Sequence, residues 1–367
     1  MKVVFIINNA EGSHFAHRLN EFIDNGYEVL AYGFSRVDLE KLSENNSRIE
    51  IIGEFLNTTS YFKRIFIILK SLRKMFRSHD FKDCIFYLCG LDMALPSMIF
   101  KKSRRRYIYE ECDLAQAYVS NKILRYLLDL IDNRIINGAK LTVLTSEGFL
   151  QYHYSRGLKK TKTSIEIIPN KLSSLVSGRN TKFEKHDIKR LRIGFVGTAR
   201  YNSIAHFADI FSSSFPNSEF HFFGTIVSNF EEFNRLKERN NVFFHGPFKN
   251  PVDLDSIYSR IDMVLCTYDL SSDNVKFAEP NKLYEAIYFA TPIIVTRGTF
   301  LAEKVDKLGV GYSIDPLDDN LVIDFINSIE SESFYDRVIN CVNIPSKELV
   351  SDNSIFFEKI KAIFKVV

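Results

Sequence analysis

Phe277-Ala-Glu-Pro-Asn-Lys-Leu-Tyr-Glu-Ala-Ile-Tyr-Phe-Ala-Thr-Pro-Ile-Ile-Val-Thr296 encodes a helix start, a helix and a strand in twenty residues. Pro280 suits the first helical turn, where a missing N–H costs nothing. Leu283, Ala286, Ile287 and Ala290 recur at helical spacing, which predicts a buried stripe. Lys282 and Glu285 fall on another face, one turn apart. Residues 293–296 then form a short apolar strand. A free helix N-terminus with a lysine attracts an anion such as a diphosphate. A carboxylate one turn further on can accept hydrogen bonds from sugar hydroxyls. The combination suits a nucleotide-sugar.

Outward from this segment, the chain alternates strands and helices. Strands are expected at 2–7, 26–32, 48–52, 84–88, 107–110, 141–145 and 165–168. Helices are expected at 12–25, 62–76, 92–100 and 120–138. Such a βαβα rhythm implies a parallel sheet with helices on both faces. A polar stretch at 171–189 reads as a linker. The rhythm restarts with Leu191-Arg-Ile-Gly-Phe-Val-Gly197. Strands at 219–223, 242–245, 263–266 and 311–314 follow, with helices near 204–213, 321–331 and 355–365. The expected layout is a domain over 1–172, a second over 173–345, and a helix within 346–367 that packs back on the first. Ligands of such sheets sit at the C-terminal strand ends, so the cleft between two such domains is the expected site.

The 367 residues suffice for two domains, and a 46% hydrophobic fraction is ordinary for a globular core. No apolar run approaches the roughly 18–20 residues that span a bilayer. The first apolar segment is too short for a secretory signal, so a cytosolic protein is expected. Cys84, Cys89, Cys112, Cys266 and Cys341 form no zinc spacing and read as reduced thiols. Charge is uneven. Residues 1–172 carry 26 Lys and Arg against 19 Asp and Glu, whereas the remainder carries 22 against 26. Lys101-Lys-Ser-Arg-Arg-Arg106 is the densest basic run. No nucleic-acid motif accompanies it, so a solvated loop or contact with an anionic membrane surface is expected.

Both halves follow their first strand with a small-residue loop: Asn8-Asn-Ala-Glu-Gly-Ser-His14, and Gly194-Phe-Val-Gly-Thr-Ala-Arg200. Glycine there lets backbone amides approach a ligand, and Arg200 could fork onto a phosphate. Neither loop is GxGxxG, so a dinucleotide cofactor is not supported.

The second half resembles the nucleotide-sugar-binding domain of GT-B glycosyltransferases, particularly bacterial capsule and polysaccharide enzymes similar to family 4. The resemblance rests on Ile193-Gly-Phe-Val-Gly-Thr198, Phe222-Phe-Gly224, Val242-Phe-Phe-His-Gly-Pro247, Tyr258-Ser-Arg-Ile-Asp262, Glu279-Pro-Asn-Lys-Leu-Tyr-Glu285 and Ala290-Thr-Pro-Ile-Ile-Val295, in the family's order. Weaker matches in the first half are Ser13-His-Phe-Ala-His-Arg18, Ile108-Tyr-Glu-Glu-Cys-Asp-Leu114, Leu144-Thr-Ser-Glu147 and Ile168-Pro-Asn170.

The resemblance implies an α/β protein of two Rossmann-like parallel-sheet domains facing a cleft. It implies transfer of a sugar from a UDP- or GDP-linked donor to a glycan or lipid-linked acceptor in surface polysaccharide synthesis, at the inner face of the cell membrane. Lys282 would contact the diphosphate beside Gly197 and Arg200. Glu285 would bind the ribose, His245 and Phe248 would lie at the base, and Asn281 would face the donor sugar. Gly12 and Ser13 would lie on the acceptor side. Family 4 enzymes carry a second glutamate eight positions before the ribose-binding one. Here that position is Phe277, which leaves retention or inversion open. An inverting reaction needs a general base. Asp113, Glu111 and His14 are the candidates. No metal or other cofactor is expected, since basic residues and helix dipoles serve the diphosphate. The rival readings are a sugar-nucleotide epimerase and a non-catalytic partner subunit of a glycosyltransferase.

Overall fold

The computed structural model describes residues 1–10, 13–36, 48–56, 59–158, 164–176, 188–227 and 230–364. It forms two compact units. One comprises Met1–Ile168 and Asn353–Val367, the other Pro169–Asp352.

In the first unit the strands are β1 (Lys2–Ile7), β2 (Glu28–Arg36), β3 (Ile49–Phe55), β4 (Ile85–Cys89), β5 (Tyr107–Glu111), β6 (Leu141–Leu144) and β7 (Ser164–Ile167). They pair in parallel in the order β3-β2-β1-β4-β5-β6-β7. Val3 to Ile7 are wholly buried, as expected of a central parallel strand covered on both faces. The helix Ser354–Ile363 belongs to this unit. Phe356, Phe357 and Ile360 enter its core, and Phe357 meets Phe22 edge-on at 5.0 Å.

The second unit contains β8 (Arg192–Ala199), β9 (Glu219–Ile226), β10 (Val242–Gly246), β11 (Met263–Cys266), β12 (Ile293–Thr296) and β13 (Gly311–Ile314). Their order is β10-β9-β8-β11-β12-β13, again parallel. The sequence puts the change of domain after 172, but Leu172 already lies in the second unit. It is buried there and hydrogen-bonded through its backbone to Leu349 and Ser351. Residues 177–187 of the expected linker fall outside the described residues.

Three local expectations change. Pro96 stands inside the first of two short helices, Leu91–Ser97 and Lys101–Arg105, where one helix is expected. The basic run therefore folds as a helical turn rather than an open loop. The segment expected as one helix near 321–331 is two, Asp319–Asn327 and Ser331–Asn343. The key helix spans Asn281–Tyr288, with Pro280 as its N-cap. It is buried on more than one stripe, since Tyr284, Glu285 and Tyr288 are covered as well as Leu283, Ala286 and Ile287. The helices Ser331–Asn343 and Ser346–Leu349 pack against it and close the face that periodicity leaves open.

Candidate active site

In the second unit, paired glycines shape the ends of β8 and β9. Gly197 has φ +131° and Gly224 φ +121°, and the two are register partners. A side-chain carbon on Gly224 would stand 2.0 Å from the Gly197 carbonyl oxygen, so only glycine fits. A side-chain carbon on Gly197 would stand 3.0 Å from Lys282 Nζ. The bare strand end and the lysine are thus in contact. Lys282 Nζ also lies 5.4 Å from the centre of the Phe195 ring, which faces it from below.

Two helix mouths are available nearby, and they differ. The helix Asn202–Ser214, just past Arg200, already holds a carboxylate. Asp269 accepts from the Asn202 and Ser203 amides at 2.9 and 2.8 Å. The helix Asn281–Tyr288 has no side-chain cap. Its first-turn amides and Lys282 therefore form the mouth open to an anion. Arg200 is exposed at the end of β8.

Glu285 is buried one turn inside this helix. Tyr258 donates to it at 2.9 Å, Asn281 at 2.9 Å and Asn250 at 3.3 Å. Burial pushes its carboxyl pKa up, while the Lys282 charge and the Tyr258 and Asn250 hydrogen bonds oppose that shift. The spacing alone suggests an exposed pair of charges. The structure instead gives a carboxylate oriented by three donors from two other segments and its own helix. Glu279, close to the missing family glutamate, is occupied differently. It is buried, with Lys304 Nζ at 2.6 Å and the Tyr284 hydroxyl also bonded to it. At the sheet edge, His245 stacks on Phe223 with ring centres 4.2 Å apart and contacts His221 at 3.0 Å. Burial, and then the neighbouring His221, lower the His245 pKa. Phe248 is half-buried against the core of this unit. Gly197, Lys282 and Glu285 therefore converge on one helix mouth.

In the first unit, Asp113 is exposed beyond the end of β5. Glu111, two residues earlier, has another occupation. It is wholly buried, and its Oε2 lies 2.6 Å from His153 Nε2. His153 is 3.8 Å from Asp132, which accepts from Tyr109 at 2.9 Å and Gln116 at 3.1 Å. Burial raises the Glu111 pKa to about 8 and raises that of Asp132 as well. Burial lowers the His153 pKa. Burial thus favours protonated carboxyls and a neutral ring in this network. Glu111 is turned into the interior of the first unit. Ser13 begins the helix Ser13–Asp24; its side chain, that of His14, and Gly12 lie outside the described residues.

Glu111, Asp132 and His153 also form the one group of metal-ligand types drawn together among the described residues, with ligand atoms within 4.8 Å of one another. Two ligands of a tetrahedral metal with bonds of about 2.1 Å stand roughly 3.4 Å apart. The 2.6 Å contact is shorter and is a hydrogen bond in this geometry.

Sequence spacing misses every partner that lies far along the chain. Tyr258 for Glu285, His153 for Glu111 and Lys304 for Glu279 are of this kind. So is Asn8, which donates to Asp92 at 3.1 Å. A glycine directly after a strand, Gly90, is the signal that could have drawn attention to Asp92.

Two units, each a parallel sheet flanked by helices, the second with an open helix mouth at its strand ends, have the GT-B fold. No family model and no curated protein matches the chain. Solved structures do. Sucrose-phosphate synthase from Thermosynechococcus elongatus matches with a TM-score of 0.69 and 13% identity, over 100% of this chain and 98% of that one. Anabaena HepE in complex with UDP matches with a TM-score of 0.67 and 15% identity, over 100% of both chains. The lipopolysaccharide outer core galactosyltransferase WaaB matches with a TM-score of 0.65 and 16% identity, over 100% of this chain and 99% of that one.

Proposed function

We propose that the chain is a glycosyltransferase that moves a sugar from a UDP- or GDP-linked donor to a glycan or lipid-linked acceptor in bacterial surface polysaccharide synthesis. The observation that carries this reading is Lys282, held against the bare Gly197 strand end at the uncapped mouth of the helix Asn281–Tyr288. The first-turn amides and the lysine would receive the diphosphate, and Arg200 would add charge from β8. Glu285, presented by Tyr258, Asn250 and Asn281, would accept hydrogen bonds from the ribose hydroxyls. His245 and Phe248 would lie at the base. HepE, one of the similar structures, holds UDP, which supports the ligand class.

In the transfer, the bond from the donor's anomeric carbon to the diphosphate oxygen breaks. A bond from an acceptor oxygen to that carbon forms, and the acceptor hydroxyl loses its proton. Lys282 and the helix amides stabilise the charge that collects on the leaving diphosphate. They supply the role a divalent ion would otherwise fill, so we propose metal-independent transfer. Among the carboxylates at the end of β5, Asp113 is the exposed one and is our choice for the proton acceptor in the first unit.

The first unit also presents a basic groove along the helix Tyr61–Ser78, lined by Phe66, Lys70, Arg73, Lys74 and Arg77. Among the described residues no helix is long and apolar enough to cross a membrane. The groove suits peripheral contact with anionic lipid at the inner face.

Calorimetric titration of UDP and GDP, followed by transfer assays with a panel of their sugars, tests the reading. Lys282→Ala should weaken binding of the preferred nucleotide about thirty-fold, in line with loss of roughly 2 kcal/mol of charge-assisted contact. Unchanged nucleotide affinity in that variant would overturn the placement of the diphosphate. Binding without turnover on any acceptor would favour a partner subunit.

A further inference from the structure

The strand order of the first sheet has a switch point, the place where ligands of such sheets bind. From β1 the sheet extends through β2 and β3 in one direction, and from β4 it extends through β5, β6 and β7 in the other. β1 and β4 are parallel neighbours, with Val3 opposite Ile85 and Ile6 opposite Leu88. The connections after these two strands therefore diverge, and a crevice opens above their C-terminal ends.

Asn8 follows β1 and Gly90 follows β4. Gly90 has φ +80°. A side-chain carbon there would come within 2.8 Å of Asp92 Oδ1 and 3.8 Å of Asn8 Nδ2. Glycine at this position permits both the turn and the approach of the two side chains. Asn8 Nδ2 donates to Asp92 at 3.1 Å on one oxygen and 3.4 Å on the other. The carboxylate is therefore tied to the residue that follows β1. Asp92 is half-buried, as is Asn8. Burial pushes the Asp92 carboxyl pKa up, while the Asn8 hydrogen bond and the charges of Arg36, at the end of β2, and Arg64 work against that shift. The next strand end, after β5, carries Asp113, so two carboxylates stand past adjacent strand ends.

We propose that Asp92, oriented by Asn8, is an acceptor-binding residue that takes hydrogen bonds from the hydroxyls of an uncharged sugar. The proposal rests on the glycosyl-transfer reading. A carboxylate with an amide at its side offers lone pairs to a polyol, and it repels a phosphate or carboxylate at the same point. The residue acts on which acceptor enters and how it sits, while the donor is held by the second unit.

The test separates the two sites. Nucleotide affinity is measured by calorimetry with UDP or GDP, whichever binds. Transfer is measured to octyl β-glucoside, octyl β-galactoside and octyl α-mannoside as probes. Asp92→Ala should keep nucleotide affinity within two-fold and raise KM for the best octyl glycoside at least ten-fold, with a smaller change in kcat. Asp92→Asn, which keeps one acceptor oxygen, should fall between wild type and alanine. Asn8→Ala should raise KM by a few-fold. A wild-type KM in Asp92→Ala overturns the proposal. So does an equal loss of nucleotide affinity and thermal stability, which would mark the residue as structural. A wild-type protein that binds nucleotide but transfers to none of these neutral glycosides also counts against it. A wild-type protein that binds neither nucleotide overturns the donor reading instead.

Discussion

Glu111 and Glu285 are both buried glutamates at the working end of a parallel sheet, one in each unit, and only the second has a cation beside it. Around Glu111, burial pushes the pKa up to about 8, with Asp113 and Asp129 adding to it and hydrogen bonds with Asp132 and Gln116 opposing it, and its nearest partner is a neutral histidine. Around Glu285, burial again raises the pKa, but a lysine charge and hydrogen-bond donors work against it. A buried carboxylate must be paired or protonated. The first becomes part of the protein's interior by holding a proton. The second keeps its acceptor character and is held ready for a ligand. Residue type and position relative to a strand end do not separate the two; the neighbours do.

The comparison is broken most forcefully at His153. Removing the ring by His153→Ala leaves a cavity and an unpaired Glu111, and should cost about 3 kcal/mol of stability in urea unfolding. It should leave nucleotide affinity unchanged. A cost below about 1 kcal/mol would mean that the network is not an interior element of the fold.

The next largest effect is on pH dependence. Folded Glu111 keeps its proton to about pH 8, whereas the unfolded chain releases it near the ordinary value of 4.5. Stability from this group is complete at low pH and is lost as pH rises toward 8. His153 acts in the reverse sense, because its lowered pKa weakens the fold as pH drops below about 6.5. Between about pH 6.5 and 8 the His153 effect is spent, and Glu111 accounts for a loss of roughly 2 kcal/mol, at about 1.4 kcal/mol per pH unit, alongside Asp132, whose pKa burial also raises. Urea midpoints measured across that window should fall in the wild type and fall less steeply in Glu111→Gln.

The smallest effect sharpens the other side. Tyr258→Phe removes one donor from Glu285 at almost constant volume. Nucleotide affinity should drop about five-fold, near 1 kcal/mol. A variant that binds as tightly as wild type would show that Glu285 does not need its tyrosine to meet a ribose.

The alternation of strands and helices is legible in the chain because each buried strand is a short apolar run closed by turn residues. The donor-side set is partly legible for the same reason: Lys282 and Glu285 share a turn, and Gly197 closes a strand. What could not be read is whatever depends on residues brought together by the sheet. Glu111 looks like a free carboxylate beside Asp113 until His153 is folded over it. Glu285 looks exposed until Tyr258 and Asn250 arrive from another segment. Asp92 looks like a helix-start acid until β1 delivers Asn8. Helical periodicity likewise reports one buried stripe for 281–288, because it contains no information about helices that dock later in the chain.

The helix Ser354–Ile363 has a consequence for how the protein is made. Its phenylalanines complete a core begun by Phe5 and Phe22, more than 330 residues earlier in the chain. During synthesis the second unit, being continuous, can close as soon as its last strand and helices emerge from the ribosome. The first unit waits with an apolar face around Phe22 uncovered until Phe356 and Phe357 are made. The nascent chain therefore carries a long-lived sticky surface on its earliest-made half, a natural point of engagement for a chaperone.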